Sequence, residues 1–262
     1  MNYQDIIYTV EDHIATITLN RPEALNALSS RMVDEWTDAI ESAKSNSKVR
    51  VLVVTGAGRG FCSGGNVKKF ASSDEQPIYT KRNSMRLGIH KIPRALESLD
   101  KPYIASINGP ATGAGMDMAS MADIRIMSDR AKVGMTYIRM GRLPGDAGCY
   151  FLPRIIGIAK ALELIWSGRI IDAGEALQIG YVSKVVPHDE LPTAIKEFCL
   201  QFTQAPVATQ FAKRLVWRGI DMFRNIHLEM TEMAVTINDT TPDTKEGPRA
   251  WVEKREPAWN AE

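Results

Sequence analysis

The sequence predicts an α/β protein, with a core of alternating strands and helices followed by an all-helical tail. Three observations carry that expectation. Runs of strand length, rich in β-branched residues, alternate with helix-period segments from Ile6 to Val186. Val49 to Thr55 (VRVLVVT) is a continuous apolar run, as suits a strand covered on both faces of a parallel sheet. From Asp189 onward only helical spacing remains, over roughly 189–203, 207–220, 223–237 and 243–255. The expected organisation is a core over residues 1–195 and a helical appendage over 196–262.

In chain order, Ile6 to Val10 and Ile14 to Leu19 flank Glu11-Asp12-His13 and read as a hairpin. Met32, Val33, Trp36, Ala39, Ile40 and Ala43 recur at helical spacing, with Ser29 or Ser30 as the N-cap. The buried strand leads into GAGRGFCSGGN, Gly56 to Asn66, and then a polar, weakly patterned stretch from 67 to 80 that reads as a mobile loop. A helical pattern from Ile78 to Leu99 contains His90 and Arg94, with a kink expected at Pro93. Short strands are expected at Tyr103 to Ile107, Ile124 to Met127, Lys132 to Gly134 and Val182 to Val186. A turn-rich segment spans Tyr137 to Gly148, and helices follow through Trp166. Asp172-Ala-Gly-Glu175 has the form of a capping box.

Between two of those strands lies NGPATGAGMD, Asn108 to Asp117. Gly109-Pro110 breaks the chain as it leaves the strand. Gly113 and Gly115 keep side chains away from a helix start over Ala114 to Ala122, where backbone N–H groups lack partners and can meet a negative oxygen. With Asp117 near that end, the stretch holds the parts needed to stabilise and protonate an enolate.

Composition narrows the function classes. A hydrophobic content of 44% supports a sizeable core, and a net charge of +1 argues against nucleic acid or an anionic membrane as the main partner. Cys62, Cys149 and Cys199 are odd in number and far apart, with no CxxC, so a reducing compartment is expected rather than a disulfide framework or a zinc site. The first residues lack a basic start followed by an apolar run, and no apolar stretch is long enough to cross a bilayer. A soluble cytoplasmic protein with no metal is the expectation. A nicotinamide-dependent oxidoreductase is a weaker reading, because GAGRG lacks the full GxGxxG spacing and FCSGGN follows where a helix should open.

Several segments together resemble the crotonase family, the enoyl-CoA hydratase/isomerase superfamily. They are NRPEALNAL (Asn20 to Leu28), GRGFCSGGNVK (Gly58 to Lys68), KPYIASINGPATGAGMDMASMADIRI (Lys101 to Ile126), RLPGDAGCYFLPRIIG (Arg142 to Gly157), ALQIGYVSKVV (Ala176 to Val186) and EGPRAWVEKREPAW (Glu246 to Trp259). The resemblance implies a spiral of ββα units forming two nearly perpendicular sheets. It also implies a C-terminal helical region that assembles a homotrimer or a dimer of trimers. The implied substrate is an enoyl- or dienoyl-CoA thioester, hydrated or, alternatively, isomerised through an enolate. Coenzyme A then belongs to the substrate, and no separate cofactor is implied. A non-catalytic, RNA-binding relative of the fold is a further alternative, disfavoured by the near-neutral charge.

By position, the resemblance assigns the oxyanion hole to the amides of Gly65 and Ala114, and the first catalytic carboxylate to Asp117. Tyr137 stands where the hydratases carry a second glutamate, and a phenol with a pKa near ~10 is a poor base. Asp146 lies one residue beyond the place, here Gly145, where isomerases and dehalogenases of the family carry a further aspartate. His90 falls in the helix that roofs the site. Ala24 and Leu25 border the coenzyme A path, the Ser63 carbonyl accepts from adenine, and Asn66, Val67 and Lys68 extend that surface. Each residue also has a plainer reading: the glycine loops as tight turns, Asp117 as an acid in a helix's first turn, Asp146 as a turn former, and His90 as a satisfied helical histidine.

Overall fold

The computed structural model describes residues 2–65 and 77–259. Strands β1 (Ile6–Glu11) and β2 (Ile14–Leu19) form the expected hairpin, pairing antiparallel from Ile6 opposite Leu19 to Glu11 opposite Ile14. Asp12 and His13 close it with positive φ at both positions, the geometry that lets a two-residue turn match the strand twist. Helix α1 (Ser30–Ser45) then opens on Ser29, whose Oγ accepts from the Met32 amide at 2.9 Å.

The main sheet has six strands in the order β1-β2-β3-β4-β6-β9. β3 (Val51–Gly56), β4 (Tyr103–Ile107), β6 (Ile124–Ser128) and β9 (Lys184–Val186) extend β2 in parallel, with Ile14 opposite Val51 and Leu52 opposite Tyr103. Alternation along β3 fills two cores. Leu52 and Val54 join Trp36, Ile40, Ile92, Ala105 and Ile107 on one face. Val51 and Val53 join Ile104 and Ile126 on the other, under Leu191, Ile195 and Cys199 of α8 (Leu191–Thr203). Burying each of the larger side chains stabilises the fold by about 1.5–3 kcal/mol.

The remaining α labels run α2 (Ile78–Arg86), α3 (Lys91–Glu97), α4 (Ala114–Ser120), α5 (Gly148–Ile156), α6 (Ile158–Ser167), α7 (Ala173–Gln178), α9 (Ala208–Gly219), α10 (Arg224–Asn238) and α11 (Asp243–Glu253). A second sheet, β5-β7-β8, joins β5 (Ala111–Thr112), β7 (Lys132–Gly134) and β8 (Ile170–Asp172).

The structure corrects the sequence reading in several places. Residues 78–99 hold two helices rather than one kinked at Pro93, and the chain turns between them at Leu87 to His90. Pro93 is the third residue of α3, where the amide it lacks would have no intrahelical acceptor. β5 and β8 are additional strands, too short to show a period. Only half of the capping box forms: Asp172 accepts from the Glu175 amide at 2.9 Å, but the Glu175 carboxylate turns to Arg169 at 2.7 Å.

Helix α8 crosses residue 195 without a break. Beyond it, α9 docks on the core through Asp123, which accepts from Trp217 Nε1 at 2.7 Å and pairs with Lys213 at 2.8 Å. Trp217 also packs edge-on against Phe151, with ring centroids 5.7 Å apart.

Candidate active site

The site grows from the end of β4. After Ile107 the chain passes through Gly109-Pro110 into β5, where the Thr112 amide donates to the Cys62 carbonyl at 3.0 Å. This ties the FCSGG loop to the start of α4. Gly64, at φ +89°, lies in the contact; a Cβ there would come 2.6 Å from the Thr112 carbonyl and 3.1 Å from the Ala114 amide. The Leu28 amide donates to the Gly64 carbonyl at 2.8 Å, pinning the loop from the other side. The residue next to Gly65 therefore rests on the amide of Ala114, the first residue of α4.

Three residues into α4, Asp117 is fully buried. Its Oδ2 accepts from Tyr137 Oη at 2.7 Å, and the same Tyr137 Oη lies 3.0 Å from Asp146 Oδ2. Tyr137 comes from a short 3-10 turn (Thr136–Met140), and Asp146 from the turn that enters α5. Gly148 leaves space for this assembly, since a Cβ there would lie 2.0 Å from Asp117 Oδ1. That Oδ1 has no well-aligned hydrogen bond among the described residues, and the Asp146 and Gly148 amides lie near the carboxylate.

Burial raises the Asp117 pKa to about 7, with Asp146 adding to the rise, while the Tyr137 hydrogen bond and the Asp146 and Gly148 amides oppose it. Burial raises the Asp146 pKa as well, opposed by the Tyr137 hydrogen bond and by His90. Burial and the two adjacent acids push the Tyr137 phenol far above its ordinary value, so it serves as a donor rather than a base. The result is a pair of buried carboxyls joined by one phenol, both raised above the usual carboxylate range.

The family profile described as Enoyl-CoA hydratase/isomerase matches residues 9–262. The chain belongs to the enoyl-CoA hydratase/isomerase family. It is an enzyme of that family, with the crotonase fold. Among its relatives, the short-chain-enoyl-CoA hydratase of Clostridium acetobutylicum is 35% identical over 257 residues, 97% of each chain. The (E)-benzylidenesuccinyl-CoA hydratase of Thauera aromatica is 34% identical over 252 residues, 95% of this chain and 96% of that one. The crystal structure of an enoyl-CoA hydratase from Bacillus anthracis superposes with a TM-score of 0.92 at 32% identity, covering 99% of this chain and 100% of that one.

Within this crotonase scaffold, the structure brings Asp117, Tyr137 and Asp146 into one hydrogen-bonded cluster. His90 does not join it directly. Its Nε2 lies 2.8 Å from the Gly145 carbonyl, which can only accept, so Nε2 carries the proton. Ala24, Leu25 and Ser63 meet in a second group: the Ser63 amide donates to the Leu25 carbonyl at 2.9 Å, and its Oγ to the Ala24 carbonyl at 3.2 Å. The Ser63 carbonyl already accepts from Thr112 Oγ1 at 3.2 Å. Asn66, Val67 and Lys68 lie outside the described residues.

Sequence reasoning missed Asn26. It is fully buried at φ +55°, accepts from the Arg21 amide at 2.8 Å, and donates to the Ala57 and Gly60 carbonyls at 3.0 and 2.8 Å. It ties the Ala24-Leu25 turn to the loop after β3, and the available signal was a polar residue tolerant of left-handed backbone inside NRPEALNAL. Away from the acids, a cavity of about 390 Å³ opens on the other face of the sheet, beside Thr16, Thr55, Asn108 and Ile195. Among the described residues, no group of three or more His, Cys, Asp or Glu side chains could hold a metal.

Proposed function

We propose that this enzyme adds water across the double bond of an enoyl-CoA thioester. The observation that carries the reading is the phenol bridge from Asp117 to Asp146. Hydration needs one group to take a proton from water and another to give a proton to the carbon α to the thioester. Tyr137 alone, in the place of a second carboxylate, would be too weak a base. Joined to Asp146, it restores a carboxylate one hydrogen bond away.

In this reading the water oxygen bonds to the β carbon as its proton enters the Tyr137–Asp146 side of the cluster. The electron pair of the double bond moves onto the thioester oxygen, and the Gly65 and Ala114 amides hold the resulting oxyanion. Fixed donors of this kind are worth about 3–4 kcal/mol each. Protonated Asp117 then delivers its proton to the α carbon, and transfer through the Tyr137 oxygen resets the pair. Each turnover consumes one water and leaves the protein's proton count unchanged. The hydratase names of the Clostridium and Thauera relatives support the same assignment.

Ala24, Leu25 and Ser63 are assigned to the coenzyme A path, with Asn66, Val67 and Lys68 completing it. Coenzyme A is carried by the substrate, and no separate cofactor is assigned. The helical region from residue 196 is assigned to assembly of a trimer or a dimer of trimers, a reading supported by the exposure of Phe223, Met233 and Trp251. A cytoplasmic setting is in keeping with three free cysteines. Among the described residues no helix is long and apolar enough to cross a membrane.

The reading is tested by incubating the protein with linear and cyclic enoyl- and dienoyl-CoA esters in heavy water, followed by mass spectrometry. The expected product has gained water with a deuteron on the α carbon. Deuterium exchange without gain of water would make the enzyme an isomerase. Absence of any change across the panel would overturn the assignment.

A further inference from the structure

We propose that His90 is a positioning residue, holding Asp146 against Tyr137 through its hydrogen bond to the Gly145 carbonyl. The inference rests on the proposed chemistry only for its kinetic consequences. Asp146 sits on a strained turn: the next residue, Ala147, has φ +72°, a left-handed conformation unfavourable for a non-glycine residue. The turn is held from outside by Tyr137 Oη on the Asp146 carboxylate, by His90 Nε2–H on the Gly145 carbonyl at 2.8 Å, and by the Asp146 and Gly148 amides facing Asp117. The end of α2 backs them, since a Cβ on Gly145 would lie 3.0 Å from Met85 Cε. His90 reaches the turn from the corner between α2 and α3, so one side chain links the roof of the site to its second carboxylate.

The titratable groups facing the pair are Tyr137, His90, Cys62 from the FCSGG loop, Cys149 on α5 and Tyr181 packed near Asp117. Burial pushes Cys62 and Tyr181 up to about 12 and raises Cys149 and Tyr137, so these four stay neutral near pH 7. The charge state of the pair is therefore set between Asp117 and Asp146. If the His90 tether is cut and Asp146 withdraws, Tyr137 gives its one proton wholly to Asp117 and the repulsion from Asp146 falls. Both changes favour ionised Asp117, and its titration moves down.

The experiment compares wild type with His90→Ala, His90→Gln and His90→Asn. The Gln amide nitrogen reaches the place of Nε2, and the Asn nitrogen only that of Nδ1. The infrared carbonyl band of protonated Asp117, assigned by its loss in Asp117→Asn, is titrated in each variant without substrate. In His90→Ala and His90→Asn the midpoint is expected to fall by about one unit, and in His90→Gln to return to the wild-type value. With a turned-over ester, kcat should fall on the order of tenfold in the first two at nearly constant KM, and recover in the third. An Asp117 band titrating at the same pH in all four proteins, or Gln behaving like Asn, would overturn the role. If His90→Ala fails to fold, the Gln–Asn comparison still decides. The infrared result stands whether or not hydration is the reaction, so the two readings fail separately.

Discussion

Tyr137 Oη carries one proton and faces two carboxylates, so the cluster is short of a hydrogen whenever Asp117 and Asp146 are both ionised. Retaining a proton on one acid relieves both the shortage and the repulsion, and burial acts in the same direction. Folded Asp117 thus binds a proton up to about pH 7, where the unfolded chain has released it above the ordinary value of 3.8. Between those limits the native state holds more protons than the unfolded state, so this group's contribution to stability is full below pH 3.8 and is lost as pH rises towards 7. Asp117→Asn removes the titration while keeping an oxygen to accept from Tyr137. Urea denaturation from pH 4 to 8 should therefore show the variant gaining stability relative to wild type as pH rises. The same variant should bind the coenzyme A ester normally but turn over on the order of a hundredfold more slowly. A stability difference flat with pH, or a near wild-type rate, would remove Asp117 from the acid–base role.

The elements that hold these residues differ in how much local signal they carry. β3 is visible in the sequence because Val51 to Val54, four apolar residues in a row, require burial on both faces, and the two cores on either side of it follow. The meeting of the FCSGG loop with α4 is visible in part, through its glycines. The joining of Asp146 to Tyr137, and of His90 to Gly145, is not, because each depends on turns whose direction no periodic pattern encodes. His90 and Gly145 are 55 residues apart, and the break at Leu87 to His90 that aims the imidazole was expected six residues late, at Pro93. The loop–helix contact itself can be tested at Gly64. Alanine there must adopt φ +89° with a Cβ 2.6 Å from a carbonyl oxygen, so the loop has to shift away from the Ala114 amide. Gly64→Ala is expected to cut kcat by about tenfold or more while the far-UV spectrum stays native, the signature of displaced oxyanion donors. A variant with unchanged kcat would separate this loop from the oxyanion.

At the scale of the molecule, the core and the C-terminal region are stabilised in different ways. The sheet is closed by side chains fully removed from water on both faces, whereas α9 and α10 contain no buried residue; α9 is tied to the core through Lys213 and Trp217 to Asp123 and Arg214 to Asp100, and α10 to α9 through His227 and the Leu215 carbonyl. Their outer surface carries Val216, Phe223, Met233 and, on α11, Trp251, all more than 60% exposed in the single chain. Isolated apolar side chains are ordinary on a protein surface, but this density over one region supports the assembly role proposed for the helical region. Sedimentation at micromolar concentration is therefore expected to give a trimer or a hexamer. The double variant Phe223→Glu with Trp251→Glu should shift it towards smaller species and lower its midpoint of thermal unfolding, since charge would have to be buried for the chains to meet. Because neither side chain supports the core, the variant chain should keep its native secondary structure. A wild-type protein that sediments as a monomer, or a double variant of unchanged mass, would leave this face without a role in assembly and return it to ordinary solvent-facing helix.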